Sequence, residues 1–108
     1  MAQAYTRRIT AARLDSPGYR PIYTNSSDDT VVIRDLVLGN LHTAAQSVRI
    51  YLSSGGVNYD VYRNPTLAPS TTAHVDLRQE LIKGEVLNMQ VDLGPATALI
   101  TGYFLSNT

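Results

Sequence analysis

Residues 77–104 read LRQELIKGEVLNMQVDLGPATALITGYF. Within them Leu87, Met89, Val91 and Leu93 alternate with Asn88, Gln90 and Asp92, the period of two expected of a strand with one buried face. Lys83-Gly84-Glu85 supplies a turn before that strand and Gly94-Pro95 a turn after it. The closing run from Ala98 to Leu105 does not alternate cleanly, because Leu99, Ile100, Tyr103 and Phe104 make both of its faces apolar. Such a strand is expected to be covered on two sides, inside a sandwich or between subunits.

The rest of the chain repeats this grammar. Thr30 to Gly39 is the strongest strand of the first half: Val31 and Ile33 share one phase, Leu36 and Leu38 the other. The change falls at Arg34-Asp35, which predicts a β-bulge there. Val48, Ile50 and Leu52 face one way and Arg49 and Tyr51 the other; Ser54-Gly55-Gly56 then turns the chain into Val57, Tyr59 and Val61. Together these form a hairpin. Thr71 to Leu77 sets Ala73, Val75 and Leu77 against His74 and Asp76. Tyr19 to Tyr23 is a short extended piece interrupted by Pro21, Arg63 to Ser70 reads as a loop with Pro65 and Pro69, and Arg78 to Ile82 as one helical turn. Tyr5 to Leu14 alternates only weakly, since Arg7 and Arg13 interrupt the phase of Tyr5, Ile9 and Ala11.

Seven or eight short antiparallel strands at about ten-residue spacing predict an all-β fold. The reading is a single β-sandwich or jelly-roll-like domain, residues 14–108, with a short N-terminal arm or edge strand, residues 1–13. Its expected core is Ile33, Leu36, Leu38, Val48, Ile50, Leu52, Tyr59, Val61, Val75, Leu77, Leu87, Met89, Val91 and Phe104.

Composition narrows the function classes. A chain of 108 residues hides roughly 65% of its unfolded surface, enough for one core without staples. There is no cysteine, hence no disulfide framework or thiolate metal site. No apolar run reaches the roughly 18 residues of a membrane span, and the N-terminus lacks a signal-peptide core, so a soluble protein is expected. Nine basic and nine acidic residues cancel, leaving no long-range field to hold nucleic acid or an anionic membrane. All the basic residues but Lys83 are Arg. Either genome base composition or a need for bidentate contacts at interfaces explains that bias.

Candidate chemistry is sparse. His42 and His74 lie far apart, without the neighbours a metal or catalytic site needs, and read as surface or interface residues. Asp28 and Asp29 beside Asn25 offer oxygen ligands for calcium, yet such loops more often cap their own backbone. Ser53-Ser54-Gly55-Gly56 lacks the lysine and helix of a phosphate cradle and is a hairpin turn. No catalytic, cofactor-binding or metal-binding residue is expected, and no cofactor. Seven tyrosines without a tryptophan offer apolar area with a polar tip, a composition enriched at interfaces. The expected partner-binding residues are Tyr5, Arg7, Arg8, Ile9 and Arg13: Tyr5 and Ile9 bury on a neighbouring protein while the arginines meet carboxylates.

Three stretches carry a resemblance: Thr30 to Asn40, the hairpin Val48 to Gly56, and Leu81 to Leu87 continuing through Ile100 to Tyr103. In this order they resemble small β-sandwich structural proteins of tailed bacteriophages, of the capsid decoration and minor tail type, over Thr30 to Leu105. The Lys83-Gly84-Glu85 turn followed by Thr101-Gly102-Tyr103-Phe104-Leu105 is also similar to trimeric jelly-roll heads of the tumour-necrosis-factor fold. The resemblance implies a non-enzymatic virion protein, assembled in the host cytoplasm, that binds the outer surface of the capsid. Its implied partners are the major capsid protein and two further copies of itself in a homotrimer. A minor tail or neck protein, or a carbohydrate-binding β-sandwich module stacking sugar rings on exposed tyrosines, are the alternatives.

Overall fold

The computed structural model describes residues 6–106. Eight strands follow one another: β1 (Arg7–Leu14), β2 (Gly18–Thr24), β3 (Thr30–Asn40), β4 (Gln46–Ser54), β5 (Val57–Leu67), β6 (Thr72–Leu81), β7 (Val86–Val91) and β8 (Ala96–Leu105). They form two four-stranded sheets, ordered β1-β8-β3-β6 and β2-β7-β4-β5, and every ladder is antiparallel. Only the β4–β5 hairpin stays within one sheet; every other connection crosses to the opposite one. The hairpin turns on Gly55 and Gly56, both at positive φ (59° and 82°), where glycine costs nothing sterically and the right-handed twist of the strands continues.

The core lies between the sheets and is built on the alternation read above. Val31, Ile33, Leu36 and Leu38 of β3 meet Val48, Ile50 and Leu52 of β4, with Leu87, Met89 and Val91 of β7 and Ala96, Ala98 and Ile100 of β8. Register shifts between Ile33 and Asp35 against both β6 and β8, so the bulge at Arg34 lets both halves of β3 face inward. Val61, Val75, Leu77 and Phe104 are partly buried against this core.

Four expectations are corrected. Tyr59 is 54% exposed, not in the core; it sits on β5, the edge strand of its sheet, where little packs over it. Leu93 lies beyond the end of β7 and is 37% exposed. Arg78 to Leu81 continue β6 as strand, since Gln79, Glu80 and Leu81 pair with Ile33, Val32 and Val31, and that ladder outweighs a marginal local helical preference. Residues 63–67 extend β5 through Pro65; β5 has no second neighbour to which a proline N–H would be owed.

Gly102 is the glycine at which β8 runs closest to its neighbour β3. A Cβ there would lie 1.9 Å from the backbone oxygen of Val32 and 3.1 Å from the Cα of Ile33. Gly102→Ala therefore forces β3 and β8 apart, and we expect a loss of at least about 1–3 kcal/mol, the usual cost of overpacking, read from urea unfolding.

Candidate functional site

Of the residues expected to grip a partner, Tyr5 lies outside the described residues. The other four belong to β1, which pairs with β8 at the edge of the first sheet. A register shift between Arg8 and Thr10 makes Ile9 the extra residue, so the phase changes there, which is why the alternation looked weak. Thr10 is turned inward, and its hydroxyl donates to the Ile22 carbonyl of the other sheet at 2.9 Å. Arg8, Ala11 and Arg13 share the outer face. Arg7 instead lays its guanidinium carbon 4.1 Å from the centroid of the Phe104 ring, and Ile9 packs against the core. The structure thus brings Arg8 and Arg13 together on one surface and turns Arg7 and Ile9 away from it.

The outer face of the first sheet is graded across its strands. Ala11, Leu99 and Val37 stand opposite one another on β1, β8 and β3, and Tyr103 stands beside Val32. Leu99 is 38% exposed at the middle of this apolar strip. Arg8 and Arg13 flank it on the β1 side; Arg13 is also paired with Asp15, Nε to Oδ1 at 2.5 Å. On the β6 side Asp35 and Asp76 are direct cross-strand partners. The Thr101 hydroxyl donates to Asp35 Oδ2 at 3.2 Å. The hydrogen bond to Asp35, and then its negative charge, hold the Asp76 carboxyl above the usual aspartate value, with Arg34 and His74 pulling the other way. His42 is elsewhere, in the β3–β4 loop, where Nδ1 accepts from the Ala44 N–H at 2.9 Å.

The outer face of the second sheet is polar and internally bonded. Tyr51 points outward, as expected, yet is only 6% exposed. The Arg49 guanidinium covers it, 4.4 Å from the ring centroid, is ion-paired with Asp60, and donates to Gln90 Oε1 at 3.2 Å. Asn88 Nδ2 donates to the Ser53 hydroxyl at 3.0 Å, and that hydroxyl donates to Asn58 Oδ1 at 2.7 Å. Burial first, then the neighbouring Tyr19, raises the Tyr51 hydroxyl above its ordinary pKa, opposed by Arg49. Beside this network lies an open hollow of about 410 Å³ lined by Gly18, Ser47, Arg49, Asp60, Arg63, Gln90, Val91 and Asp92. No sequence motif announces it, because its lining comes from β2, β4, β5, β7 and the turn after β7.

Among the described residues, no group of three or more His, Cys, Asp or Glu side chains is placed to hold a metal ion. Asp28 of the Asn25–Asp29 loop is bonded to Lys83 Nζ at 2.9 Å, which holds its carboxyl below the usual value. Asn25, from the same loop, is buried and bonds the Asp29 and Leu81 carbonyls through Nδ2, each at 2.9 Å.

No protein-family model matches the chain, and no curated protein matches it in sequence. Among solved structures it is similar to the nucleoplasmin-like N-terminal domain of Drosophila FKBP39, with a TM-score of 0.60 and 18% identity over 100% of this chain and 95% of that one. That likeness is one of fold. It also matches, at a TM-score of 0.44 and 14% identity, a pentameric capsid protein from metagenomic phage sequences, over 94% of this chain and 60% of that one. A chain of infectious bursal disease virus, Gt strain, matches at a TM-score of 0.46 and 13% identity, over 94% of this chain and 31% of that one. The protein therefore spans less than two thirds of either viral chain.

The Asp35–Asp76 pair yields a pH prediction. A carboxyl whose pKa is raised by folding binds its proton more tightly in the folded state, so stability falls as pH rises from about 4, the unfolded aspartate value. Asp76→Asn keeps a donor to Asp35 and removes the repulsion. Melting curves are expected to show the variant more stable than the parent at neutral pH, with the difference vanishing in acid.

Proposed function

We propose that the chain is a non-enzymatic virion structural protein, a capsid decoration protein that binds the outer surface of the capsid lattice as a homotrimer. The observation that carries this reading is the outer face of the first sheet. Its apolar strip, the exposed Leu99 beside the half-buried Val37, lies between a basic β1 side, Arg8 and Arg13, and the acidic pair Asp35 and Asp76. Opposite charges on opposite sides of one apolar face favour a heterologous contact, in which one copy's β1 side meets the next copy's β6 side. Repeated, such a contact closes into a ring when its rotation permits.

Two further features support the reading. The strand order β1-β8-β3-β6 over β2-β7-β4-β5 fits the jelly roll, an eight-strand double Greek key that recurs in viral capsids. The resemblance of Thr30 to Leu105 to small sandwich proteins of tailed phages supplies the capsid surface as the site of attachment. The mechanism is mechanical: modest contacts repeated over a shell gain strength by multivalency. Arg8 and Arg13 on β1 are the cationic contacts of this surface, facing carboxylates of the next copy or of the major capsid protein.

Light scattering on the purified protein is expected to give a trimer, and mixing with undecorated capsids to deposit it on their surface. Leu99→Arg is expected to weaken self-association roughly tenfold or more, as loss of a central interface anchor does, while thermal unfolding stays near that of the parent. A monomer that coats capsids as isolated copies overturns the trimer. A pentamer keeps the face as an interface but removes the three-fold site, and failure to bind any capsid overturns decoration.

A further inference from the structure

We propose that the hollow on the outer face of the second sheet is a binding site for a neutral saccharide. This goes beyond the assembly reading and rests on different residues. The lining carries two guanidiniums, Arg49 and Arg63, and two carboxylates, Asp60 and Asp92, with Ser47 and Gln90 between them. The charges cancel within the hollow. An anionic ligand would meet Asp60 and Asp92, and a cationic one Arg49 and Arg63, so neither gains from the site as a whole. A hydroxyl both donates and accepts, and a pyranose ring presents several side by side. Interleaved donors and acceptors of this kind satisfy such a row without leaving a charge uncompensated.

The polar groups are held in place before any ligand arrives. Arg49 is fixed by Asp60, by Gln90 and by the Tyr51 ring beneath it. Asp92 Oδ1 accepts the Ser47 backbone N–H at 2.7 Å, which orients that carboxylate and leaves its other oxygen to accept. Arg63 stands directly opposite Arg49 across the β4–β5 ladder and makes no ion pair among the described residues, so its donors are available. Preorganised groups lose less entropy on binding.

The apolar requirement of sugar recognition is also met. Tyr19 is 67% exposed, the most exposed large hydrophobic side chain of the described residues, and is the cross-strand partner of Gln90. Directly opposite side chains are about 5 Å apart at Cβ, which puts an open aromatic face at the rim of the hollow. One face of a pyranose is a surface of C–H groups that stacks on such a ring while its hydroxyls reach the polar floor. The volume, about 410 Å³, lies within the usual range of ligand pockets. The site is on the opposite sheet from the Leu99 strip, so both surfaces can be engaged together.

The test is a glycan array of immobilised neutral and acidic oligosaccharides probed with the whole protein. The best neutral glycan is then titrated in solution and followed by backbone amide shifts. Binding of a neutral glycan is expected, with shifts confined to residues around Tyr19, Arg49, Arg63 and Gln90. Tyr19→Ala and Arg63→Ala, both at exposed positions, are each expected to lower affinity about tenfold while leaving the melting temperature and oligomeric state unchanged. Leu99→Arg is expected to bind the glycan as the parent does, which separates this site from the assembly face. Binding to acidic glycans alone, shifts on the first sheet, undiminished binding by both groove variants, or no binding to any glycan overturns the proposal.

Discussion

The side chain of Asn40 is wholly buried at one end of the sandwich, and the closure of that end depends on it. Its Nδ2 donates to the Ala44, Leu67 and Ala68 carbonyls at 2.9–3.1 Å. Its Oδ1 accepts the His42 N–H at 2.9 Å and Gln46 Nε2 at 2.6 Å. Gln46, also buried, bonds the Pro95 carbonyl at 3.2 Å and accepts the Gly94 N–H at 2.8 Å. Two amides thus tie the β3–β4, β5–β6 and β7–β8 connections, three chain crossings that no apolar side chain could join. Crossing loops carry backbone groups that the ladders cannot satisfy, and burying one unpaired costs about 1–3 kcal/mol. Asn25 does the same work at the other end, where β3 begins: its backbone bonds Gly84 and Glu85 while its side chain bonds Asp29 and Leu81.

These polar hubs explain what could be read along the chain and what could not. Alternation at Leu87, Met89 and Val91 reports burial because each strand needs only its own neighbours' hydropathy to declare its inner face. The bulge at Arg34 was readable for the same reason, since a phase change occurs within one strand. Asn40 and Gln46 defeat such reasoning: an Asn after a strand suggests a solvated turn, and only the crossing loops make it the interior partner of several carbonyls. Tyr59 and Arg78 to Leu81 fail in the opposite sense. Whether Tyr59 is covered depends on β5 being an edge, and whether Arg78 is strand depends on β3 lying beside it. Both are facts of strand order.

The candidate surfaces were readable in proportion to how local they are. The two-sided apolarity of Ala98 to Leu105 already says that Leu99 and Ile100 both want cover; the structure gives Ile100 to the core and leaves Leu99 on the outside. The place of β1 in the sheet was half visible, because the bulge at Ile9 scrambles its phase. The groove of the second sheet was invisible. Arg49, Arg63, Gln90 and Tyr19 come from four strands and share no spacing, and Tyr51 beneath them looks exposed by phase although Arg49 covers it.

The two outer faces differ in what it costs to dry them, and that difference governs what each can bind. On the first sheet, Leu99, Val37 and Ala11 have no polar atoms to satisfy, and Thr101 already spends its hydroxyl on Asp35. Covering this strip with protein removes apolar area from water at about 25 cal/mol per Å² and strands little beyond the carboxylate pair, which an arginine answers. On the second sheet, Arg49, Asp60, Gln90, Ser53 and Asn58 hold one another around the buried Asn88, and the exposed Asp60, Gln90 and Asn58 keep polar atoms turned to water. An apolar partner laid over them would leave those groups unpaired, a penalty that grows with each one. Only a ligand that returns hydrogen bonds atom for atom escapes it, and beside the exposed ring of Tyr19 that ligand needs an apolar face as well. A protein surface offers such a match rarely; a sugar ring is built that way.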